Sequence, residues 1–381
     1  MGHYFRRLDH TPKKRLIGEN MKKILFAISN LKGGGAERVV SVWSSQLAEQ
    51  GYEVAVFTYY TDDNEYAISN KVKRITISKT KDENLSFSYI KRFKLMRRAV
   101  KEFAPDTIIS FLPRMQIWMM FATIGLKCDM IQTVRISPWH HRSGKGETFL
   151  WKRCFRKADK ILLQSNDQKP FFSKKVQKKC FVVPNPLNSL YVENSISAYS
   201  SKTVKFIANG RLSGQKNYAL MIDAFAKSAQ QNHDITLDIF GAENDVTFSE
   251  LQLRIDNYNL SDRIKLRGWT KDVLKELTTH DAFIMTSDFE GMPNALAEAM
   301  AVGLPCISTD CKTGPADLID DNKNGFLVEV GNKDELSDTI SKVASFDAET
   351  AKKIGEAARQ KILSFCSEEN SLKKLIELIE K

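Results

Sequence analysis

The chain has 381 residues, of which 27% are charged and 42% hydrophobic, a composition typical of a globular protein rather than a disordered or fibrous one. Its net charge is +11, but residues 1–190 hold 35 Lys and Arg against 16 Asp and Glu, and residues 191–381 hold 22 against 30. This split, +19 against −8, predicts that the first half meets a polyanion, either nucleic acid or an anionic membrane surface.

Residues 1–20 are polar and basic and lack the apolar core of a signal peptide, so we expect a disordered or added extension there. The most apolar stretch, 117–126, is too short to span a bilayer. The cysteines are scattered and form no C-x-x-C pair, which favours a reducing cytoplasm over a disulfide framework or a zinc site.

Apolar strands alternate with amphipathic helices through the first half, a pattern that predicts a parallel sheet covered on both faces. The strands are predicted at 23–28, 52–58, 74–77, 107–112, 130–134, 160–164 and 180–183, and the helices at 36–50, 88–103 and 115–126.

The alternation stops at Pro184-Asn-Pro186 and resumes at 204. We therefore predict an N-terminal domain (21–187), a linker (188–203) and a C-terminal domain (204–363). In the second half, strands are predicted at 204–208, 235–240, 264–266, 282–286 and 306–308, a helix at 217–230 and a helical tail at 347–381. The expected fold class is α/β: two doubly wound domains facing across a cleft, with ligands bound beyond the carboxyl ends of the strands.

Three loops carry the candidate chemistry. The first, 30–38, contains Gly33, Gly34 and Gly35 and is either a tight turn or a place where backbone approaches a phosphate. Arg38 stands where a dinucleotide fingerprint requires glycine, which argues against a nicotinamide site. The second, 209–217, carries Arg211 and Lys216, which can converge on one diphosphate or can simply be solvated.

The third and most informative segment runs from Ser287 to Ala301. It predicts a buried strand, then a loop with Glu290, then an Ala-rich helix that contains Glu298. The free N–H groups at that helix start can bind an anion, and the flanking carboxylates can accept hydrogen bonds from sugar hydroxyls. The alternative is that Glu298 lies on a solvated helix face, although its apolar neighbours favour burial.

Two further features are ambiguous. His140 follows Trp139 in a predicted loop and is structural, solvated or catalytic. No cluster of His, Asp and Glu has metal-binding spacing, so no metal site is predicted. The helix at 88–103 is amphipathic and either packs on the sheet or lies on anionic lipid. Its basic residues are Lys91, Arg92, Lys94, Arg97, Arg98 and Lys101.

Taken together, the motifs resemble the retaining GT-B glycosyltransferases of glycosyltransferase family 4, which includes enzymes of bacterial polysaccharide and lipid-linked oligosaccharide synthesis. The resemblance covers nearly all of 21–381. It rests on G-G-A-E-R, on G-R-L…Q-K-N, on Glu290-x7-Glu298 within E-G-M-P-N-A-L-A-E-A-M, and on Gly314-Pro…Asn324-Gly-Phe-Leu-Val328.

The resemblance implies roles for individual residues. Arg211 and Lys216 would hold the donor diphosphate, Glu298 the ribose hydroxyls and Glu290 the transferred sugar. The implied donor-binding set is Gly34, Gly35, Gly210, Arg211, Lys216, Glu290, Gly291, Met292, Pro293, Asn294 and Glu298, with Arg211, Lys216 and Glu290 catalytic. Many members place a histidine after the fifth strand, where this chain has Arg135, so Arg135 or His140 would contact the donor sugar. The last helix, 364–381, would cross back to the N-terminal domain.

The sequence thus predicts a retaining glycosyltransferase without an obligatory cofactor or metal. It would move a hexose or N-acetylhexosamine from a nucleotide diphosphate sugar, uridine before guanosine, to a hydroxyl of a lipid-linked or polysaccharide acceptor. We expect a cytoplasmic protein, peripheral on the inner face of the cytoplasmic membrane, with an anionic membrane surface as partner and no nucleic acid. The alternatives are a nucleotide-sugar epimerase of the same fold, an oxidoreductase and a basic nucleic-acid-binding protein.

Overall fold

The computed structural model describes residues 22–140, 144–195, 203–232 and 234–381. The extension expected at 1–20 and residues 196–202 of the linker expected at 188–203 lie outside these residues. Within the described part of the linker, 189–193 is helical. The chain divides into two compact units, Met1–Gln132 with Lys157–Asp159, and Thr133–Arg156 with Lys160–Lys381.

The first sheet has seven strands in the order β3-β2-β1-β4-β5-β6-β7, and its described pairings are parallel. The strands are β1 (Lys23–Ala27), β2 (Glu53–Thr58), β3 (Lys73–Thr76), β4 (Thr107–Ser110), β5 (Asp129–Thr133), β6 (Lys160–Leu163) and β7 (Cys180–Val182). The central strands are buried along nearly their whole length, which explains their continuous apolar sequences.

Seven α-helices are described in this part of the chain. They are α1 (Gly35–Glu49), α2 (Lys81–Ser86), α3 (Tyr89–Phe103), α4 (Pro113–Ala122), α5 (Lys145–Lys157), α6 (Lys174–Gln177) and α7 (Ser189–Glu193). Capping residues fix several boundaries. Ser88 caps α3 by accepting from Lys91 N at 3.2 Å, and Pro113 occupies the first turn of α4, where its missing N–H is not needed.

The second sheet has six parallel strands in the order β10-β9-β8-β11-β12-β13. The strands are β8 (Val204–Asn209), β9 (Ile235–Phe240), β10 (Ile264–Gly268), β11 (Ala282–Met285), β12 (Cys306–Thr309) and β13 (Phe326–Val328). Successive residues of β8 feed opposite faces, because Phe206 belongs to one hydrophobic cluster and Ile207 to another. The strand order reverses between β8 and β11, which is where ligands bind in open sheets of this kind.

The helices of the second half are α8 (Tyr218–Gln231), α9 (Phe248–Asn257), α10 (Val273–Thr278), α11 (Asn294–Val302), α12 (Pro315–Leu318), α13 (Lys333–Ala344), α14 (Ala348–Cys366) and α15 (Glu368–Glu380). Two parallel, doubly wound sheets are present, as the sequence predicts. Within the described residues, no helix is both long and apolar enough to cross a bilayer.

The helical tail expected at 347–381 consists of two helices, because Ser367 separates α14 from α15 and caps the latter. Lys160 Nζ donates to Leu378 O at 2.8 Å, and Ser371 Oγ donates to Pro184 O at 2.7 Å. These contacts join α15 to residues that the sequence assigns to the N-terminal domain. Most of 133–187 packs with the second unit. The domain border expected at 187/188 stays a prediction.

Candidate functional site

The loop between β8 and α8 carries two of the predicted donor-binding cations. After β8 the chain makes a short 3-10 turn at Gly214–Lys216. Asn217 then takes the left-handed conformation, with φ 48°, and its side chain accepts from Leu220 N at 3.2 Å. Asn tolerates this conformation and is a good N-cap. The cap fixes the backbone from which Lys216 projects.

Lys216 and Glu290 form the central contact of the site. Lys216 Nζ lies 2.7 Å from Glu290 Oε1, and the two side chains are only 18% and 10% exposed. Because β8 and β11 are parallel neighbours, the loops that follow them leave the same edge of the sheet. Asp288 N also donates to Gln215 O at 2.9 Å, so backbone as well as side chains join the two loops.

Two titratable groups near this ion pair have raised pKa values because they are buried. Burial first, and the Glu290 carboxylate second, raise the pKa of the Cys311 thiol to about 12. The same two causes raise the pKa of the Tyr218 hydroxyl. That hydroxyl donates to Gly210 O at 2.9 Å. The pair therefore lies in surroundings where an unpaired charge would be costly.

Gly210 and Arg211 have different surroundings on this loop. A Cβ at position 210 would lie 3.1 Å from Lys216 Cε and 3.1 Å from the Tyr218 hydroxyl, so a larger residue would crowd both side chains. Arg211 is exposed, whereas Lys216 is turned inward toward Glu290. Of the two cations on this loop, Lys216 is therefore the one whose side chain faces the buried Glu290.

The start of α11 offers N–H groups that no side chain caps. Pro293 occupies the N-cap position, its side chain makes no capping hydrogen bond, and α11 begins at Asn294. The first N–H groups of a helix lack intrahelical partners and carry the positive end of the helix dipole. Glu298 lies in the second turn of the same helix and is 6% exposed. Glu298 is thus buried, as its apolar neighbours predict.

Gly291 and Gly314 permit close packing just before α11. A Cβ at position 291 would lie 2.3 Å from Gln164 Oε1 and 2.9 Å from Arg135 O. Gly314 has φ +98°, and a Cβ there would lie 2.6 Å from Gly291 O. No side chain fits at Gly291 without a shift of its neighbours, and only glycine readily adopts the backbone at Gly314.

Four polar side chains form what we call the Asn185 network: Arg135, Gln164, Asn185 and Asn294. Asn185 Oδ1 accepts from Arg135 Nη1 at 2.9 Å and from Gln164 Nε2 at 3.0 Å. Asn185 Nδ2 donates to Asn294 Oδ1 at 2.8 Å. Burial lowers the pKa of the Arg135 guanidinium to about 9. The sequence analysis did not identify Asn185 or Gln164 as site residues. The only local signal for Asn185 is its position between Pro184 and Pro186.

His140 lies on the exposed side of the same region. Its ring stacks on Phe289, with ring centroids 4.2 Å apart and planes inclined by 5°, and its Nδ1 is 3.0 Å from Ser137 Oγ. Phe289 directly precedes Glu290 in the chain. Of the two residues expected to contact the donor sugar, His140 is thus exposed and stacked on the residue that precedes Glu290, whereas Arg135 belongs to the Asn185 network.

The remaining predicted residues lie in the first unit. Gly34 precedes α1 in an extended conformation and Gly35 is its first residue. Their predicted approach to a donor stays a prediction. In α3, the side chains of Met96, Val100 and Phe103 are buried, while Tyr89 and Ile90 are 71% and 68% exposed.

The six basic residues of α3 are not equivalent. Arg97 Nη1 donates to Ala122 O at 2.7 Å, and Arg92 Nε donates to Phe87 O at 3.1 Å. Arg98 pairs with Glu102 at 2.6 Å. The other three, Lys91, Lys94 and Lys101, are exposed. The C-terminal part of α3 thus packs into the core, which agrees with the expectation that this helix packs on the sheet. The first turn of α3 exposes both apolar and basic side chains.

Two family profiles match the chain: Glycosyltransferase Family 4 over 33–189 and Glycosyl transferases group 1 over 194–361. Both profiles describe glycosyltransferases and together they cover most of the chain, which is therefore a GT4-like glycosyltransferase. The family predicted from the motifs is thereby confirmed, and the alternatives of an oxidoreductase and a nucleic-acid-binding protein receive no support from these matches.

Full-length relatives agree with this assignment. This glycosyltransferase is 25% identical over 350 residues to the amylovoran biosynthesis glycosyltransferase AmsD of Erwinia amylovora, covering 89% of this chain and 95% of that protein. It is 26% identical over 355 residues to an N-acetyl-D-galactosaminyltransferase of Campylobacter jejuni whose name specifies a saccharide on PP-undecaprenol, covering 91% and 95%.

Solved structures show the same fold. TarM superimposes with a TM-score of 0.78 at 16% identity, covering 95% of this chain and 99% of that one. The apo form of the lipopolysaccharide outer core galactosyltransferase WaaB gives a TM-score of 0.77 at 23% identity, covering 94% and 99%. The predicted GT-B fold class is therefore confirmed.

The packing at Gly291 gives a first prediction. Gly291→Ala should lower the free energy of unfolding by about 1–3 kcal/mol, because the added methyl must displace Gln164 or the backbone at Arg135. Thermal and urea denaturation would measure the loss.

Gly146→Ala, in α5, is the matched control for Gly291→Ala. A Cβ there meets nothing within 4 Å, and alanine favours helix, so its stability should be unchanged or slightly raised. Equal stability of the two variants would contradict the close packing at Gly291.

Proposed function

We propose that this glycosyltransferase moves a hexose or N-acetylhexosamine from a nucleoside diphosphate sugar to a hydroxyl of a lipid-linked or polysaccharide acceptor. The transfer would retain the anomeric configuration and need no bound metal. The observation that carries the proposal is the mostly buried ion pair between Lys216 and Glu290. Glu290 is followed directly by Gly291–Pro293, the segment that leads into α11, whose first N–H groups have no side-chain cap.

The diphosphate leaving group explains why these features occur together. When the bond between the anomeric carbon and the phosphate oxygen breaks, negative charge grows on that oxygen. Lys216 and the first N–H groups of α11 can stabilise this charge, and preorganised donors of this kind supply much of the barrier reduction in many enzymes. The exposed Arg211 would close on the same diphosphate from solvent.

The carboxylates are suited to hydroxyl groups. Glu290 would accept hydrogen bonds from the transferred sugar and Glu298 from the ribose, since ionised carboxylates are acceptors only. The exposed ring of His140, stacked on Phe289, would contact the sugar next to Glu290. We assign Glu290, which contacts Lys216 through one oxygen in the absence of donor, to sugar recognition rather than to covalent catalysis.

Retention would follow if the acceptor attacks the face that the phosphate leaves. The acceptor oxygen then bonds to the anomeric carbon, and the acceptor proton passes to the departing phosphate oxygen, so atoms and charge balance. Trapping of a glycosyl-enzyme adduct by mass spectrometry would contradict this step.

Relatives support the choice of substrates. The Campylobacter jejuni relative is named for an acceptor on PP-undecaprenol, and the Anabaena protein HepE has been solved with UDP and glucose. We therefore propose a uridine donor, with guanosine second, and a lipid-linked acceptor.

The direct test is a donor panel followed by an acceptor assay. One nucleoside diphosphate sugar should raise the melting temperature of the protein, because ligands that bind only the folded state stabilise it. With that donor and an undecaprenyl-diphosphate saccharide, NMR of the product should show the anomeric configuration of the donor, and EDTA should leave the rate unchanged. Release of nucleotide with an altered free sugar and no acceptor would indicate the epimerase instead.

Lys216→Ala tests the charge-stabilising role. It should lower kcat by about 10²–10³-fold, because the lost interaction is strongest in the transition state. It should also lower the free energy of unfolding by about 1–3 kcal/mol, since the Glu290 carboxylate loses a partner in a buried place.

Lys227→Ala is the control, because Lys227 forms an exposed pair with Asp334 at 2.8 Å on α8 of the same unit. Its kcat and stability should stay close to wild type. An unchanged kcat for Lys216→Ala at saturating donor would remove Lys216 from the mechanism.

We also propose that the first turn of α3 docks on an anionic membrane from the cytoplasmic side. In the first turn of α3, Tyr89 and Ile90 are 71% and 68% exposed, and Leu85, near the end of α2, is 59% exposed. The exposed cations Lys91 and Lys94 follow on α3. Apolar side chains can enter the headgroup boundary while each nearby cation contributes about 1 kcal/mol of attraction to anionic lipid. A lipid-linked acceptor would be reached at this surface.

Vesicle sedimentation tests the docking. Binding should require phosphatidylglycerol or cardiolipin, weaken as salt rises, and fall in Ile90→Ser and in Lys91→Glu/Lys94→Glu. Lys352→Glu, at an exposed position on α14, should bind as wild type does. Equal binding to neutral vesicles would contradict the electrostatic part, and preferential binding to RNA in a shift assay would assign the basic half to nucleic acid.

A further inference from the structure

A single buried carboxamide connects three separate segments beneath the candidate donor site. Asn185 is 4% exposed and follows Pro184 at the end of the first half of the chain. Its side chain and backbone N–H contact the loop after β5, the end of β6 and the approach to α11. It is absent from the donor-binding set that the resemblance implies.

The contacts of Asn185 with α11 are made where that helix lacks a cap of its own. Asn185 N donates to Met292 Sδ at 3.2 Å, and Asn185 Nδ2 donates to Asn294 Oδ1 at 2.8 Å. Pro293, between these residues, has no N–H and makes no capping hydrogen bond. The residues on both sides of the helix start are therefore tied to Asn185.

The other end of the carboxamide is equally constrained. Asn185 Oδ1 accepts from both Arg135 and Gln164, at 2.9 and 3.0 Å, so the oxygen must face these donors and the nitrogen must face Asn294. The bond from Arg135 is charge-assisted, and in a buried place it also polarises the carboxamide toward stronger donation. The orientation of Asn185 is thus decided by its partners.

We propose that Asn185 is a positioning residue for donor binding, which fixes Met292 and Asn294 so that the first N–H groups of α11 meet the donor phosphate in one geometry. Asn185 acts through Asn294 and not on the reacting atoms. The inference rests on the proposed function, because it assigns the phosphate to this helix start.

The first measurement needs no ligand. Hydrogen exchange followed by mass spectrometry should show faster exchange of the amides at 292–297 in Asn185→Ala than in wild type. Ser371→Ala is the matched control, because it removes the hydrogen bond to Pro184 O, next to Asn185 in the chain, without touching α11. The control should exchange at 292–297 as wild type does.

Asn294→Ala is the second variant, since Asn185→Ala also removes a partner of Arg135 and can impair folding. Asn294→Ala should reproduce the faster exchange at 292–297. Wild-type exchange at 292–297 in Asn294→Ala, or equal acceleration in Ser371→Ala, would overturn the proposal.

The second measurement uses UDP as the probe, titrated by calorimetry below the melting temperature of every variant. Asn185→Ala and Asn294→Ala should each weaken binding by about tenfold, which is the size of the net contribution of one hydrogen bond such as that between Asn185 and Asn294. The double variant should bind about as weakly as either single one, since both remove the same tie. The proposal would be overturned if the losses of binding free energy in the two single variants added up in the double variant, or if Asn185→Ala bound UDP as tightly as wild type.

The two measurements separate this inference from the proposed function. If wild-type protein binds neither UDP nor any nucleotide sugar, the proposed function fails and with it the role of Asn185 toward a donor. If wild-type protein binds UDP and the variants bind equally well, the proposed function stands and Asn185 has no positioning role.

Discussion

The ion pair between Lys216 Nζ and Glu290 Oε1 is the contact on which the candidate site depends. A parallel sheet brings the loops after β8 and β11 to one edge, and the pair joins them there. Because both groups have lost most of their water, each needs the other to offset lost hydration. Under the proposed function, a diphosphate competes with Glu290 for Lys216, which releases Glu290 toward sugar hydroxyls. Phosphate and sugar recognition would then be coupled through one contact.

The uncapped start of α11 is the complementary half of the site. A helix whose first N–H groups stay available for an anion cannot satisfy them with a side-chain cap. Its approach must therefore be held by other means. Glycine at positions 291 and 314 allows the backbone to pack closely, and Asn185 contacts the residues on both sides of Pro293. The first N–H groups of α11 stay available because no side chain caps them, whereas Gly291, Gly314 and Asn185 hold the segment that leads into the helix.

The alternation of apolar strands and amphipathic helices was sufficient to predict two parallel, doubly wound sheets, since burial on both faces demands continuous apolar strands. Several helices were not predicted. In α9 only Leu251 and Ile255 are buried, and in α5 the buried residues cluster near its end, so neither has a long apolar stripe. Their conformation depends on caps such as Thr247 and on contacts with the rest of the chain, which a local pattern does not contain.

For the site, the sequence alone determined which loops carry Lys216, Glu290 and Glu298, because residue type and position after a strand are local properties. It also determined the family, through the order and spacing of its motifs. Only the tertiary structure decided that Lys216 faces Glu290 while Arg211 stays exposed, and that Asn185 lies beneath Asn294. These contacts join residues 74 and 109 positions apart, and no local signal specifies such pairings, since they follow from the packing of the whole unit.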